Sequence, residues 1–109
     1  MSSASSNRKP LPKALGRIVG GKLDLSNKKL SSLKDIGIQP KLEVLILSNN
    51  NIKTFDSLQV QPNLTTIIAD NNPIESLKGL ENGRQPNLST LNITQTPLFF
   101  HNKNIFAQF

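Results

Sequence analysis

The side chains that could perform chemistry are few, and their spacing does not suit catalysis. The chain of 109 residues contains no cysteine and a single histidine, His101. That histidine has no second histidine or cysteine with which to share a metal ion or to form a nucleophile–base pair. Gly20-Gly21 is only a turn-like pair before the first predicted strand, and no glycine-rich phosphate-binding loop occurs in the sequence. We therefore predict a protein that is not an enzyme, with no catalytic residues, no metal site, no cofactor and no small-molecule substrate.

Four segments of eight residues resemble one another and recur at a nearly constant interval. They begin 22, 22 and 24 residues apart, at residues 23–30, 45–52, 67–74 and 91–98. A second marker, Gln-Pro followed by a polar residue and leucine, keeps the same interval at residues 39–42, 61–64 and 85–88. Because two independent markers share one register, the chain contains an internal repeat.

The apolar residues of each repeat alternate as they do in a buried strand. Leu45 and Leu47 lie two residues apart and point to the same side of an extended chain, whereas Ile46 points to the other. Apolar residues before and after the strand supply further inward contacts, at positions 42, 52, 55 and 58. One repeat has too few inward positions to form a core alone, so the repeats must stack on one another.

A polar residue follows each strand at the point where the chain must turn inward. Backbone N–H and C=O groups there lack partners in the sheet, and an asparagine side chain can both accept from them and donate to them. We predict a structural ladder formed by Asn50 and Asn72, with Thr96 performing part of this role in the last repeat. Lys28 holds the same position in the first repeat but has no acceptor and resists burial, so the first repeat is predicted to be a terminal one.

The repeat pattern, L-x-x-L-x-L-x-x-N-x-I-x-x-h-x-x-L, resembles the leucine-rich-repeat family over roughly residues 18–98. It is most similar to the 22-residue subclass typified by a regulatory subunit of protein phosphatase 1. The resemblance implies an α/β solenoid with a curved parallel β-sheet on the concave face and short helical or 3-10 segments on the convex face. It also implies a binding scaffold without catalytic activity, in a subclass that includes spliceosomal, tubulin-chaperone and dynein-associated proteins.

The two ends of the chain differ in composition from the repeats. Residues 1–17 are small, polar and basic, and they are predicted to form a disordered tail in front of a domain spanning residues 18–109. Some apolar residues of this region could instead cover the first repeat: Leu11, Ala14, Leu15 and Ile18. A C-terminal aromatic cap is predicted from about residue 97, although the same rings could form an end that associates with another molecule. These rings are Phe99, Phe100, Phe106 and Phe109.

Positive charge is concentrated in the first third of the chain. Residues 1–34 contain eight lysines and arginines against the single acid Asp24. A nucleic-acid-associated role for this region, using the tail with Lys22, Lys28, Lys29 and Lys34, is an alternative to protein binding, but no aromatic stacking positions accompany it. No secretory signal or membrane-spanning run is present, and cysteine is absent, so we expect a cytoplasmic or nuclear location without membrane association.

The outward positions of the strands predict where a partner would bind. Ile46 and Ile68 should lie roughly 5 Å apart on neighbouring strands, with Val44 and Thr66 beside them. β-branched residues also favour strands in general, so these side chains could stabilise the sheet without binding a partner. Asp24 and Asp70 fall in different rows two strands apart, which does not suit an acid–base pair. The predicted partner-binding residues on the concave face are Val44, Ile46, Thr66, Ile68, Asp24, Asp70 and Asn92.

A further interpretation is that the chain is a fragment or short paralogue of a longer repeat protein, with no independent role. The count of about 3.5 to 4 repeats is near the minimum for stable stacking.

Overall fold

The computed structural model describes residues 11–98, so residues 1–10 of the predicted tail, His101 and the four C-terminal phenylalanines lie outside the described part of the chain. Four short strands form one open parallel sheet in the order of the sequence. The strands are β1 (Lys22–Asp24), β2 (Val44–Ile46), β3 (Thr66–Ile68) and β4 (Thr90–Asn92). This arrangement confirms the prediction of a leucine-rich-repeat solenoid, in which each repeat adds one strand.

The core lies behind the sheet and follows the predicted alternation. The central residue of every strand is buried: Leu23, Leu45, Ile67 and Leu91 are at most 8% exposed. The residues on either side of each central residue are half-buried or exposed. The inward positions predicted for the second repeat are all fully buried, including Phe55, the largest side chain of the core. A continuous core therefore passes through the stacked repeats.

The segments that return from one strand to the next contain little regular structure. One-turn 3-10 helices occupy Lys34–Ile36 and Glu81–Gly83, and another occupies Lys13–Leu15 before the first strand. Leu11, Leu15 and Ile18 are partly buried against the core, whereas Ala14 is exposed. Within residues 11–98, no helix is long and apolar enough to cross a membrane.

Asn50 lies in the interior, where its side chain bonds the backbone of two repeats. Its Oδ1 accepts hydrogen bonds from the N–H groups of Lys28 and Leu30, at 3.0 and 2.9 Å. Its Nδ2 donates to the carbonyl oxygens of Leu25 and Leu47, each at 2.9 Å. One side chain thus satisfies polar groups that the turn would otherwise bury without partners.

Asn72 repeats this arrangement one turn later. Its Oδ1 accepts from the N–H of Ile52 at 3.0 Å, and its Nδ2 donates to the carbonyl oxygens of Leu47 and Ala69. In the last repeat the buried hydroxyl of Thr96 donates to the carbonyl oxygen of Ile93 at 2.6 Å. The side-chain amides of Asn50 and Asn72 therefore bond the backbone of the preceding repeat as well as the backbone of their own repeat.

A second ladder, which the sequence did not lead us to predict, is formed by the glutamines of the Gln-Pro marker. Gln61 is fully buried, and its Oε1 accepts from the N–H of Gln39 at 2.8 Å while its Nε2 donates to the carbonyl oxygen of Gly37. Gln85 accepts from the N–H of Gln61 at 2.8 Å and donates to the carbonyl oxygen of Gln59 at 3.0 Å. The glutamine of the marker thus links neighbouring repeats by hydrogen bonds between its side chain and the backbone of the preceding repeat.

The residue before each ladder position has a left-handed backbone. The φ angles are 59° at Asn27, 61° at Asn49, 55° at Asn71 and 56° at Gln95. Asparagine tolerates this conformation better than most residues with a side chain, which explains its recurrence at this position. The chain turns away from the sheet at these residues.

Gly79 allows the closest approach between two repeats. A Cβ at this position would lie 2.2 Å from the carbonyl oxygen of Phe55, and its φ of 101° also favours glycine. The N–H of Phe55 donates to the carbonyl oxygen of Lys78 at 2.9 Å. Any side chain at position 79 would separate the second and third repeats.

Candidate functional site

The outward-facing residues of the four strands form a surface that we call the sheet face. Its central row contains Asp24, Ile46, Ile68 and Asn92, which are paired in register across the strands. The row at the start of the strands contains Lys22, Val44, Thr66 and Thr90, paired in the same way. The structure therefore brings six of the seven predicted binding residues together on the strands themselves, and Asp70 lies two residues after the end of β3.

The middle of the sheet face is aliphatic and its two edges are polar. Val44, Ile46, Thr66 and Ile68 are half-buried. The flanking positions on β1 and β4 are exposed: Lys22, Asp24, Thr90 and Asn92. Ile46 and Ile68 are thus less open to solvent than the sequence alone indicated, but they remain accessible at the centre of the face.

Asp24 is held in place by the residue two positions later. Its Oδ1 accepts from the hydroxyl of Ser26 at 2.7 Å and from the N–H of Ser26 at 3.0 Å. These two bonds, with a smaller contribution from the charges of Lys22 and Lys28, lower the pKa of Asp24 below its ordinary value. The carboxylate is therefore a fixed negative charge near the β1 edge of the face.

The other polar residues of the face are fixed in a similar way. Oδ1 of Asn92 accepts from the N–H and the hydroxyl of Thr94, at 3.0 and 2.9 Å. Oδ1 of Asp70 accepts from the hydroxyl of Ser48 on the neighbouring repeat at 2.5 Å. Sequence reasoning assigned no role to these serine and threonine partners. The recurrence of a hydroxyl or a carboxylate one residue after the strand's second inward position was the signal that could have identified them.

The predicted ladder residues lie elsewhere. Asn50, Asn72 and Thr96 are 7%, 3% and 1% exposed, so they support the turns below the face and cannot contact a partner. Lys28, in contrast, is exposed. Asn49 and Asn71, which directly precede the buried Asn50 and Asn72, are exposed. The side-chain Nδ2 of Asn71 donates a hydrogen bond to Oδ1 of Asn49.

The described residues offer little else on which chemistry could rest. Within residues 11–98, no group of three or more histidine, cysteine or acidic side chains is placed to hold a metal ion. A shallow groove of about 440 Å³ lies on the return segments of the first two repeats. Its lining is mainly hydroxyl and amide groups, from Ser31, Ser32, Asn51, Lys53, Thr54, Asp56 and Ser57.

Comparison with known proteins supports the fold assignment. Residues 40–82 match a family model described as leucine-rich repeats in two copies. The match contains the strands β2 and β3 and both isoleucines of the central row. No curated protein and no solved structure matches the chain significantly. Residues 40–82 are therefore similar to leucine-rich repeats, and the four strands stacked in one parallel sheet have the fold expected of such repeats.

Proposed function

We propose that the protein is a non-catalytic interaction module that binds a protein partner on the sheet face, in a regulatory or scaffold role. The observation that carries this proposal is the Ile46–Ile68 pair, matched in register on the two inner strands and partly exposed. Protein interfaces commonly place such aliphatic anchors at their centre with polar residues around them. Leucine-rich repeats are commonly protein-interaction modules, which supports the same function.

The polar rim of the face favours binding because its side chains are already ordered. Asp24, Asp70 and Asn92 each accept a hydrogen bond from a neighbouring hydroxyl. Side chains that are fixed before binding lose less conformational entropy when the partner arrives. Charged residues at the rim contribute mainly to specificity and to the rate of association.

We infer further that the chain is of the 22-residue subclass typified by a regulatory subunit of protein phosphatase 1. The register supports this inference, since Leu23 pairs with Leu45 and Leu45 with Ile67, each 22 residues apart. A phosphatase or another regulatory assembly in the cytoplasm or nucleus is the partner class that this subclass suggests. The lack of cysteine is compatible with such a reducing compartment.

Nucleic-acid association is the second candidate function, and the charge of the first repeat favours it. Residues 11–35 contain six basic and two acidic side chains, whereas residues 36–98 contain four basic and five acidic ones. The one ion pair between described side chains joins Lys78 to Asp56 at 3.9 Å, outside this region. Binding through these lysines would weaken steeply as salt concentration rises.

The experiment that tests the main proposal compares matched variants of the full chain. Proteins and nucleic acids captured from a cell lysate by the native chain would be purified, and their affinity for the chain would be measured by titration calorimetry at two salt concentrations. The test variant is Ile46→Thr with Ile68→Thr, which keeps β-branched residues in the strands but shortens both anchors. We expect its affinity to fall at least tenfold, which corresponds to about 1.4 kcal/mol.

The matched control is Val60→Thr, because Val60 is an aliphatic residue 47% exposed on a return segment outside the sheet face. This variant should bind as the native chain does. Equal losses in both variants would contradict the proposal, as would unchanged affinity in the double variant. A partner that is itself a nucleic acid, lost at high salt and insensitive to Ile46 and Ile68, would establish the second candidate instead.

A further inference from the structure

The return segment between β3 and β4 is two residues longer than the one before it, and its tip is an Asn-Gly pair. The strands β2 and β3 are 22 residues apart, whereas β3 and β4 are 24 apart. The extra length falls in the 3-10 turn Glu81–Gly83, between the buried residues Leu80 and Gln85. Both Asn82 and Gly83 are exposed.

The backbone at this tip departs from regular helical geometry. Asn82 has φ 57° and ψ 34° inside the 3-10 turn, a left-handed conformation that costs a residue with a side chain some stability. The N–H of Arg84 closes the turn on the carbonyl oxygen of Glu81 at 3.2 Å, near the long end of the hydrogen-bond range. A 3-10 turn of three residues with such a residue at its centre opens more readily than the strands do.

The residue after Asn82 leaves the side chain open to attack from the backbone. A Cβ placed on Gly83 would have no atom within 4 Å apart from those of its two chain neighbours, so no other part of the protein crowds this side of the glycine. Every other asparagine in the sequence is followed by a larger residue, so position 82 is the one Asn-Gly pair in the chain. Asn82 therefore differs chemically from the other asparagines.

We propose that Asn82 is a modification site at which the side-chain amide is converted, through a succinimide, to aspartate and isoaspartate. When the turn opens, the deprotonated backbone nitrogen of Gly83 attacks Cγ of Asn82, forming an N–Cγ bond. The Cγ–Nδ2 bond breaks, and the nitrogen leaves as ammonia after taking up the proton that the peptide nitrogen gave to solvent. A water molecule then opens the five-membered ring.

The ring can open at either of its two carbonyl carbons. Attack of water on Cγ breaks the new N–Cγ bond and gives aspartate, whereas attack on the backbone carbonyl carbon gives isoaspartate, with the main chain passing through the side chain. Both products add one negative charge beside Arg84. Isoaspartate also lengthens the main chain three residues before Gln85, whose side chain forms the last contacts of the glutamine ladder.

The test follows each asparagine of the full chain during incubation at mildly alkaline pH. Peptide mapping by mass spectrometry would measure the gain of one mass unit at each site, and an isoaspartate-specific methyltransferase would report the isomer. We expect Asn82 to convert at least tenfold faster than Asn63 and Asn87, which are exposed asparagines followed by leucine in the same chain.

The control is Asn82→Gln, whose longer side chain would have to close a six-membered ring, and its fold would be checked by circular dichroism. This variant should lose the fast conversion and leave the slower sites unchanged. A synthetic peptide of residues 78–88 supplies the rate for an unfolded segment. Conversion at Asn82 no faster than at Asn63 and Asn87, with the peptide converting normally, would show that the turn protects the site and would overturn the proposal.

Discussion

The first repeat and the two inner repeats share the same strand geometry, but they differ in the residue that stabilises the turn after the strand. Asn50 and Asn72 hold the turns of the inner repeats from inside, whereas Lys28, at the same position of the first repeat, is exposed. The contacts explain why this is tolerated, because Asn50 accepts from the N–H groups of Lys28 and Leu30 in the repeat before it. A repeat depends on the amide of its successor, so the first repeat does not need one of its own.

The largest expected effect is therefore the loss of an inner amide. Asn50→Leu keeps the volume but removes the partner of two backbone N–H groups and of the carbonyl oxygen of Leu25, whereas the carbonyl oxygen of Leu47 keeps its bond from Asn72. We expect the free energy of unfolding to fall by about 3 kcal/mol or more, a large part of the stability of a small domain.

Urea denaturation would measure this change, and Lys28→Leu is the matched control at the equivalent position of the first repeat. Because Lys28 is exposed, the control should shift stability by no more than about 0.5 kcal/mol. Equal effects at the two positions would break the comparison between the first repeat and the inner repeats.

The contact between the second and third repeats gives the next largest effect. Gly79→Ala would place a methyl group 2.2 Å from the carbonyl oxygen of Phe55, at a φ of 101°. We expect a loss of about 2–3 kcal/mol, since both overpacking and backbone strain act at this position. Thermal unfolding would report it as a lower Tm.

Gly83→Ala is the control that measures the cost of a positive φ without overpacking. Gly83 also has a positive φ, of 72°, but its Cβ would meet no atom within 4 Å. Its substitution should destabilise the protein by about 1 kcal/mol. A Gly79 variant as mild as the Gly83 variant would show that the two inner repeats do not approach each other this closely.

The glutamine ladder should have a smaller but clear effect. Gln61→Ala removes the acceptor for the N–H of Gln39 and the donor to the carbonyl oxygen of Gly37. A loss of about 2 kcal/mol is expected, because both backbone groups are partly or wholly shielded from water. In Gln59→Ala the replaced side chain is exposed, so chemical denaturation of that variant should resemble the native chain.

These predictions separate what the sequence could and could not supply. The inward positions of Leu45 and Leu47, and the need for an amide at Asn50, follow from the period of the strand and from the requirement that buried backbone groups be paired. The Gln-Pro marker was visible as an interval, but nothing in a linear pattern states that Gln61 is fully buried. The partial burial of Ile46 and Ile68 also depends on how closely neighbouring strands crowd one face, which spacing along the chain does not encode.

The smallest expected effect is the pH-dependent contribution of Asp24, in the first repeat, to the free energy of unfolding. The pKa of Asp24 is lowered in the folded state, chiefly by the hydrogen bonds from Ser26. Its contribution to stability is therefore present above the unfolded-state pKa of about 3.9 and is lost as pH falls through the lower folded-state value. Because the group is exposed, the contribution is small and weakens with salt.

An NMR titration of the Asp24 carboxyl in the native chain and in Ser26→Ala would measure it. The native midpoint should lie below that of the variant, and stability at neutral pH should change little. Identical midpoints would show that Ser26 does not hold the carboxylate.

The central claim, that the sheet face contacts a protein partner, is tested most directly by site-specific photo-crosslinking. A photoreactive residue would replace Thr66, beside the central pair on the sheet face, or Val60, on a return segment. With the purified partner bound, we expect a covalent adduct from position 66 and none from position 60. An adduct from position 60 alone, or a tight complex in which position 66 never crosslinks, would contradict binding on the sheet face.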